Sequence, residues 1–350
     1  MYSLDKEHFI IEAERGATYI PVAHSWPADL ETPLTTWLKV GDGKPFGVLL
    51  ESVEGGENLG RWSVVASDPL WHVTVRGNKL TRTWRDGRSE EVVGNPFESL
   101  RRLLLPYKSL CLPDLPQLGQ LYGMWGYEVI EWIEPKVPIH SLEEKDLPDG
   151  IWMFMDKILI FDQVKRLITA VAYGDLTNAN KLDEAYEKTL NQIKELKVLM
   201  GASLPSIKPL SWDSTASNTP LTKSNCTQAK YKESVEIAKD FIEKGDIFQL
   251  VLSQKLQANV FQTPFELYRS LRMVNPSPFM AFFDFGDWQL IGSSPEVMVK
   301  AQQTEKGIQT SLRPIAGTRP RGENDIEDET LEKDLLKDPK ERAEHVMLVD

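Results

Sequence analysis

Residues Leu70 to Val93 read LWHVTVRGNKLTRTWRDGRSEEVV, and this stretch constrains the fold more than any other. Two runs that mix apolar, aromatic and polar residues flank Gly77-Asn78, a dipeptide suited to a tight reversal, so the segment predicts a β-hairpin. The same grammar of short apolar or aromatic runs broken by Gly, Pro and Asp continues through residues 1 to about 200, as in FGVLLESVEGGENLGRWSVVASDP. Leu182, Ala185, Tyr186, Leu190, Ile193 and Leu196 then recur at helical spacing and stop at Gly201, predicting a helix that closes the region. No repeat of solenoid or propeller period is present.

The following stretch, residues 201–226, is rich in Ser, Thr, Pro and Asn without a sustained period and reads as a linker. The sequence thus divides into a domain at 1–200, a linker at 201–226 and a second domain at 227–350. In the second domain, Thr227 N-caps an amphipathic helix with Tyr231, Val235, Ala238, Phe241 and Ile242 on one face and Gly245 as its stop. A strand-like run, IFQLVLSQKLQANV, follows it. Thr263 and Glu266 have capping-box spacing around Pro264, and FMAFFDF and WQLIGSSPEVMVKA predict a hairpin joined at Gly286-Asp287. Strand runs separated by individual helices, with no regular βαβ alternation, point to an α+β fold with antiparallel sheets.

Composition narrows the class of partner. The chain has 350 residues, 41% of them hydrophobic, enough to bury at least one large core. Forty Lys and Arg against 52 Asp and Glu give a net charge of −12, which disfavours nucleic acid and anionic membranes as partners. Cys111 and Cys226 are far apart and form no CxxC or Cys/His pattern, as free thiols in a reducing cytosol would. The N-terminus carries charge throughout, with no apolar signal core, and no window has the length of a membrane span. A soluble cytoplasmic protein is expected.

Two polar constellations stand out. RPIAGTRPRG, Arg313 to Gly322, surrounds Thr318 with three arginines, and serves either as an exposed basic turn or as an anion cradle. Asp338, Pro339 and Glu341 start a further helix, on which Glu341, Glu344 and His345 are expected on one side and Ala343, Val346 and Met347 on the other. Such a face is either a solvated helix side or part of an oxygen-ligand set for Mg²⁺. Walker, GxGxxG, HExxH and GxSxG patterns are absent, so nucleotide, zinc-hydrolase and serine-hydrolase chemistry have no direct support.

Taken in order, LLESVEGGENLGRWS, GDIFQLVLSQ, NPSPFMAFF, GSSPE, RPIAGTRPRG and KERAEHVMLVD resemble the large-subunit (component I) family of anthranilate synthases, within the chorismate-utilising enzymes. The resemblance runs from about Val48 to Asp350; GQLYGMWGYEVIEWIEPKVP also resembles a glycine- and tyrosine-rich family segment, with departures in detail. It implies an α+β fold with two large antiparallel sheets and flanking helices. It implies conversion of chorismate and ammonia to anthranilate and pyruvate with Mg²⁺, ammonia coming from glutamine through an amidotransferase partner subunit.

Carried over by residue, the resemblance makes Gly317 and Thr318 chorismate contacts, with Thr318 and Gln249 in the catalytic site, and Glu344 a Mg²⁺ ligand. A glycine lets backbone N–H groups approach a carboxylate, and the cation would offset neighbouring acids. Gln249 stands where water-using relatives resemble one another in having lysine; a neutral amide cannot deprotonate water, which favours ammonia as nucleophile. Ala316 stands where aminodeoxychorismate synthases have a nucleophilic lysine, and a methyl group cannot attack the ring. Ser52, Arg61, Pro278, Phe279 and Met280 correspond to the family's pocket for feedback-inhibiting L-tryptophan. The family continues beyond HVMLVD into an RND segment, a histidine, a glycine-rich loop and a second Mg²⁺ glutamate. The sequence reading therefore expects a C-terminally truncated piece with an incomplete fold, inactive alone. The alternatives are aminodeoxychorismate synthase component I or another chorismate enzyme, and a non-catalytic tryptophan-binding module.

Overall fold

The computed structural model describes residues 2–53, 60–116, 118–134, 136–137, 147–177, 181–207, 209–210 and 222–349. Expectations for the connection at 211–221 and for most of the VEGGENLG turn lie outside the described residues. The chain forms two compact units, Met1–Ile207 with Tyr268–Asp350, and Lys208–Leu267.

The larger unit is built on two antiparallel sheets. Strands β1 (Tyr19–Pro27), β2 (Gly47–Glu51), β3 (Trp62–Ser67), β9 (Lys157–Asp162), β10 (Leu167–Asp175), β13 (Phe279–Asp284) and β14 (Gln289–Ser294) form a seven-stranded sheet in the order β1-β10-β9-β3-β2-β13-β14. Strands β4 (Trp71–Arg76), β5 (Lys79–Trp84), β6 (Ser89–Val93), β7 (Leu121–Trp125) and β8 (Gly150–Phe154) form a five-stranded sheet in the order β6-β5-β4-β8-β7. This is the α+β architecture with two large antiparallel sheets that the sequence predicts.

Alternation explains how the sheets meet. Along β4, Trp71, Val73 and Val75 are buried while His72 and Thr74 are half-buried, and the first set joins Tyr19, Val171 and Tyr173 of the other sheet in one apolar cluster. Trp71 stacks on Phe154 with ring centroids 4.5 Å apart. Strands β3 and β10 are buried along nearly their whole length, because helices cover their other face. Helices α1 (Lys6–Glu14), α2 (Pro33–Val40) and, after α3 (Pro96–Leu104) and the single turn α4 (Ile130–Ile133), α5 (Leu182–Met200) contact this sheet. Helix α5 buries Tyr186, Ile193 and Leu196, the stripe expected from its spacing.

The predicted hairpins form where the turn residues place them. Arg76 pairs with Lys79 across Gly77, whose φ of +57° is left-handed backbone, and the Gly77 N–H donates to the buried Asp149 Oδ2 at 2.7 Å. Strands β13 and β14 pair from Phe279↔Ser294 to Asp284↔Gln289 around Gly286. Both strands fall in the range assigned to a second domain, yet the free edge of β13 pairs with β2, Met280 opposite Glu51 through Asp284 opposite Gly47. Local composition carries no mark of so distant a partner.

In the smaller unit, α6 (Gln228–Glu243) is N-capped by Thr227, whose hydroxyl accepts from Lys230 N–H at 3.2 Å. The expected strand at Ile247–Val260 does not form over most of its length. Only β12 (Leu256–Gln257) pairs, with β11 (Lys223–Ser224), and Phe248 and Val251 remain 87% and 86% exposed. Among the described residues no neighbouring strand takes up the remaining backbone groups, so apolar composition alone does not extend the segment. Helix α7 (Pro264–Val274) begins with the expected capping box, Thr263 N–H donating to Glu266 Oε2 at 2.8 Å and Glu266 N–H to Thr263 Oγ1 at 3.3 Å.

Candidate functional site

Three segments remote in sequence reach one end of the seven-stranded sheet. Strand β2 lies between β3 and β13, and its last pair is Glu51 with Met280. Beyond that pair Ser52 follows Glu51 outside the strand, and the Val53 N–H donates to Ser277 O at 3.2 Å, one residue out of the β2–β13 register. On the other side, β2 pairs with β3 as far as Leu50 opposite Val64, and Arg61 immediately precedes β3. Ser52, Arg61 and Pro278–Met280 therefore lie at or just beyond the same ends of three neighbouring strands, β2, β3 and β13. Met280 is buried and Phe279 is 40% exposed, as alternation on the strand requires. Ser277 is buried and its hydroxyl has no hydrogen-bond partner among the described residues.

Arg61 is already engaged. Its Nε and Nη2 donate to the buried Asp162 at 3.1 and 2.7 Å, a bidentate pair, and its guanidinium lies 4.4 Å from the Trp62 ring centroid. Burial alone would raise the Asp162 pKa, but Arg61 and the N–H groups of Lys165 and Val164 hold it below the ordinary value. Glu51, the last residue of β2, is 4% exposed. It accepts from Tyr268 Oη at 2.6 Å and from Arg272 Nε and Nη2 at 3.1 and 3.2 Å. Burial, then the charge of Glu51, pushes the Tyr268 hydroxyl far above its usual pKa, so it stays a donor. An acid closing the apolar run GVLLE was the available signal for a buried partner.

The second constellation gathers around Arg313–Gly322. After the separate ribbon β15 (Lys300–Thr304) and β16 (Gly307–Ser311), this loop packs against α8 (Asp325–Lys337) and α9 (Pro339–Val349). Arg319 donates to Asp334 Oδ2 at 2.8 Å and Asp338 Oδ2 at 2.7 Å, and its third nitrogen lies 3.5 Å from Glu341 Oε1. Arg321 pairs with Asp328, which also accepts from Gly322 N–H at 2.9 Å. Glu296 of GSSPE accepts from Ile315 N–H at 3.0 Å. The arginines thus pin the loop to acidic helices. Gly317, at φ +72°, faces the Glu341 carboxylate, and a Cβ there would sit 2.6 Å from Oε2. Thr318 is exposed at the loop's tip.

Helix α9 differs from its expected sidedness. Glu341, Glu344 and Met347 share the half-buried side, whereas Ala343, His345 and Val346 are exposed, because the Arg319 ion pair draws the acidic face inward. Among the described residues no three His, Cys, Asp or Glu side chains come together as a metal would need. Glu344 therefore offers a single carboxylate, and Glu341 is engaged by Arg319. Gln249 lies exposed in the irregular Ile247–Lys255 segment of the smaller unit. Both cysteines are free, and no helix among the described residues is long and apolar enough to cross a membrane.

The sequence model of the chorismate binding enzymes matches residues 49–350. The chain belongs to that family. Anthranilate synthase component 1 of Synechocystis sp. is 48% identical over 357 residues, covering 100% of this chain and 70% of that protein. The protein of the same name from Acetivibrio thermocellus is 38% identical over 337 residues, covering 95% of this chain and 66% of its own length. Among solved structures, anthranilate synthase component I from Streptococcus pneumoniae superposes with a TM-score of 0.61 at 30% identity, over 93% of this chain and 66% of that one. The menaquinone-specific isochorismate synthase of Escherichia coli, 14% identical with a TM-score of 0.55, shares the fold. This member of the chorismate-binding family spans about two thirds of the length of these relatives.

Proposed function

We propose that this chain is the large-subunit part of an anthranilate synthase. In this reading it converts chorismate and ammonia to anthranilate, pyruvate and water in the cytoplasm, as a first committed step towards tryptophan, with feedback inhibition by L-tryptophan. The names of the relatives support the reaction, since the Synechocystis and Acetivibrio proteins above are both called anthranilate synthase component 1. Gln249 and Ala316 support ammonia as nucleophile, because neither an amide nor a methyl group can act as the base or the nucleophile that a lysine provides. Gly317 and Thr318 would face chorismate, the glycine giving its backbone room to approach a carboxylate. Mg²⁺, held in part by Glu344, would neutralise charge on the substrate carboxylate. A glutamine amidotransferase subunit would supply ammonia, which is mostly protonated in neutral solution.

One observation carries the regulatory half of the proposal. Ser52, Arg61 and Pro278–Met280, drawn from separate motifs, converge at the end of three neighbouring strands. A ligand there shares no residue with the Gly317–Thr318 loop, so inhibition would act as a coupling free energy rather than by competition for chorismate. Titration calorimetry of the chain with L-tryptophan tests this: we expect binding by the unsubstituted chain and none by Ser52→Arg at an unchanged melting temperature. Retained binding by Ser52→Arg argues against the site. Mass identification of the product that a chain spanning the full length of these relatives forms from chorismate, ammonia and Mg²⁺ separates the reaction classes. Anthranilate carries the reading and aminodeoxychorismate replaces it, whereas tryptophan binding with no product favours a binding module.

A further inference from the structure

Glu51 is the last residue of β2 and Ser52 follows it directly, and along an extended chain successive side chains face opposite ways. Glu51 points to the helix side of the sheet, where Tyr268 and Arg272 of α7 enclose it with three hydrogen bonds over sequence separations of 217 and 221 residues. Ser52 is thereby directed to the opposite side. Helix α7 carries the other wall as well, for Asn275 to Pro278 follow it directly and Asn275 N–H still donates to Leu271 O at 2.8 Å. That wall is fastened at two further points, Ser293 Oγ donating to Asn275 O at 2.6 Å and Val53 N–H to Ser277 O at 3.2 Å. A twist of the strand end that released Glu51 would turn Ser52 with it, since successive side chains along an extended chain face opposite ways.

We infer that Tyr268 and Arg272 are positioning residues for the strand-end ligand site. By holding Glu51 they fix the direction of Ser52 and, through the same helix, the seat of Asn275–Pro278. Neither side chain needs to touch the ligand. The carboxylate is suited to this task because a buried, triply bonded acid has one low-energy arrangement, and burial beside Glu51 raises the Tyr268 pKa so that its hydroxyl stays a donor. The inference deepens the tryptophan reading and depends on it for the identity of the ligand.

The test uses the full chain and its variants Tyr268→Phe and Arg272→Lys, each studied well below its own melting temperature so that all are folded. L-Tryptophan affinity is measured by calorimetry, and exchange of the Val53 amide by hydrogen–deuterium exchange. We expect each variant to bind L-tryptophan at least tenfold more weakly and to exchange the Val53 amide faster, with amides of β9 and β10 unchanged. Wild-type affinity in both variants overturns the inference, even if their melting temperatures fall, because a purely stabilising contact would produce that pattern. If the unsubstituted chain does not bind L-tryptophan, the tryptophan reading fails, and the exchange measurement still decides: unaltered Val53 protection in both variants overturns the positioning role, and a selective loss supports it.

Discussion

Gly317 holds the Arg-Pro loop in a shape that no other residue tolerates without strain. Its φ of +72° costs an L side chain about 1–2 kcal/mol, and a Cβ would come within 2.6 Å of Glu341 Oε2. The carboxylate is the end of a flexible side chain and can move, but it is also a partner of Arg319, which lies among Asp334, Asp338 and Glu341. The strain and the disturbed ion pairs thus act together. Gly317→Ala is expected to destabilise the loop and its two helices by about 1–2 kcal/mol, read by urea unfolding. Limited proteolysis should show earlier cleavage within Arg313–Gly322. A variant as stable and as protease-resistant as the parent would mean that the left-handed backbone at this position carries no cost.

At the scale of elements, turns and caps follow from their own residues, and long-range partners do not. The Gly77 hairpin, the Gly286 hairpin, the Thr227 cap and the Thr263–Glu266 capping box were legible because each signal and its effect lie within a few residues. The pairing of β13 with β2 and the bonds from Arg272 to Glu51 were not, since a strand edge or a buried acid leaves its partner unspecified in the sequence. For the same reason IFQLVLSQKLQANV read as a strand although only its Leu256–Gln257 pairs. The candidate site came through whole motifs: Ser52, Arg61 and Pro278–Met280 were grouped by resemblance, and composition around each gave no reason to group them. Even the local hairpin depends on a remote residue, Asp149, whose buried carboxylate accepts from the Gly77 N–H at 2.7 Å. Asp149→Ala leaves that donor without its acceptor and should cost about 1–3 kcal/mol. A urea-unfolding midpoint equal to the parent's would show that solvent replaces the bond.

For the whole molecule, the ionisable groups define where acid destabilises the fold. His72 lies on β4 under the Phe46 ring, with centroids 4.0 Å apart, and burial lowers its pKa from 6.5. Just below pH 6.5 the unfolded chain therefore binds more protons at this position than the folded one, so stability falls as pH decreases. His8 has the opposite sign: its hydrogen bond and charge interaction with Asp5 raise its pKa, giving stability below 6.5 that is lost as pH rises through the folded value. His8 is exposed in the first turn of α1, where solvent screening weakens the effect, so the His72 slope dominates. A second decline belongs to Asp162. Burial works against its ionisation, but Arg61 and two backbone N–H groups lower its pKa below 3.8, so its contribution is present above that value and lost as pH falls through the folded one. Urea unfolding between pH 7 and 3 should thus show two falls in stability, one beginning near 6.5 and one below about 4. His72→Phe should flatten the first and leave the second, whereas Arg61→Met should lower stability at pH 7 and reduce the second. A His72→Phe variant that keeps the slope below pH 6.5 would assign the first fall to other groups.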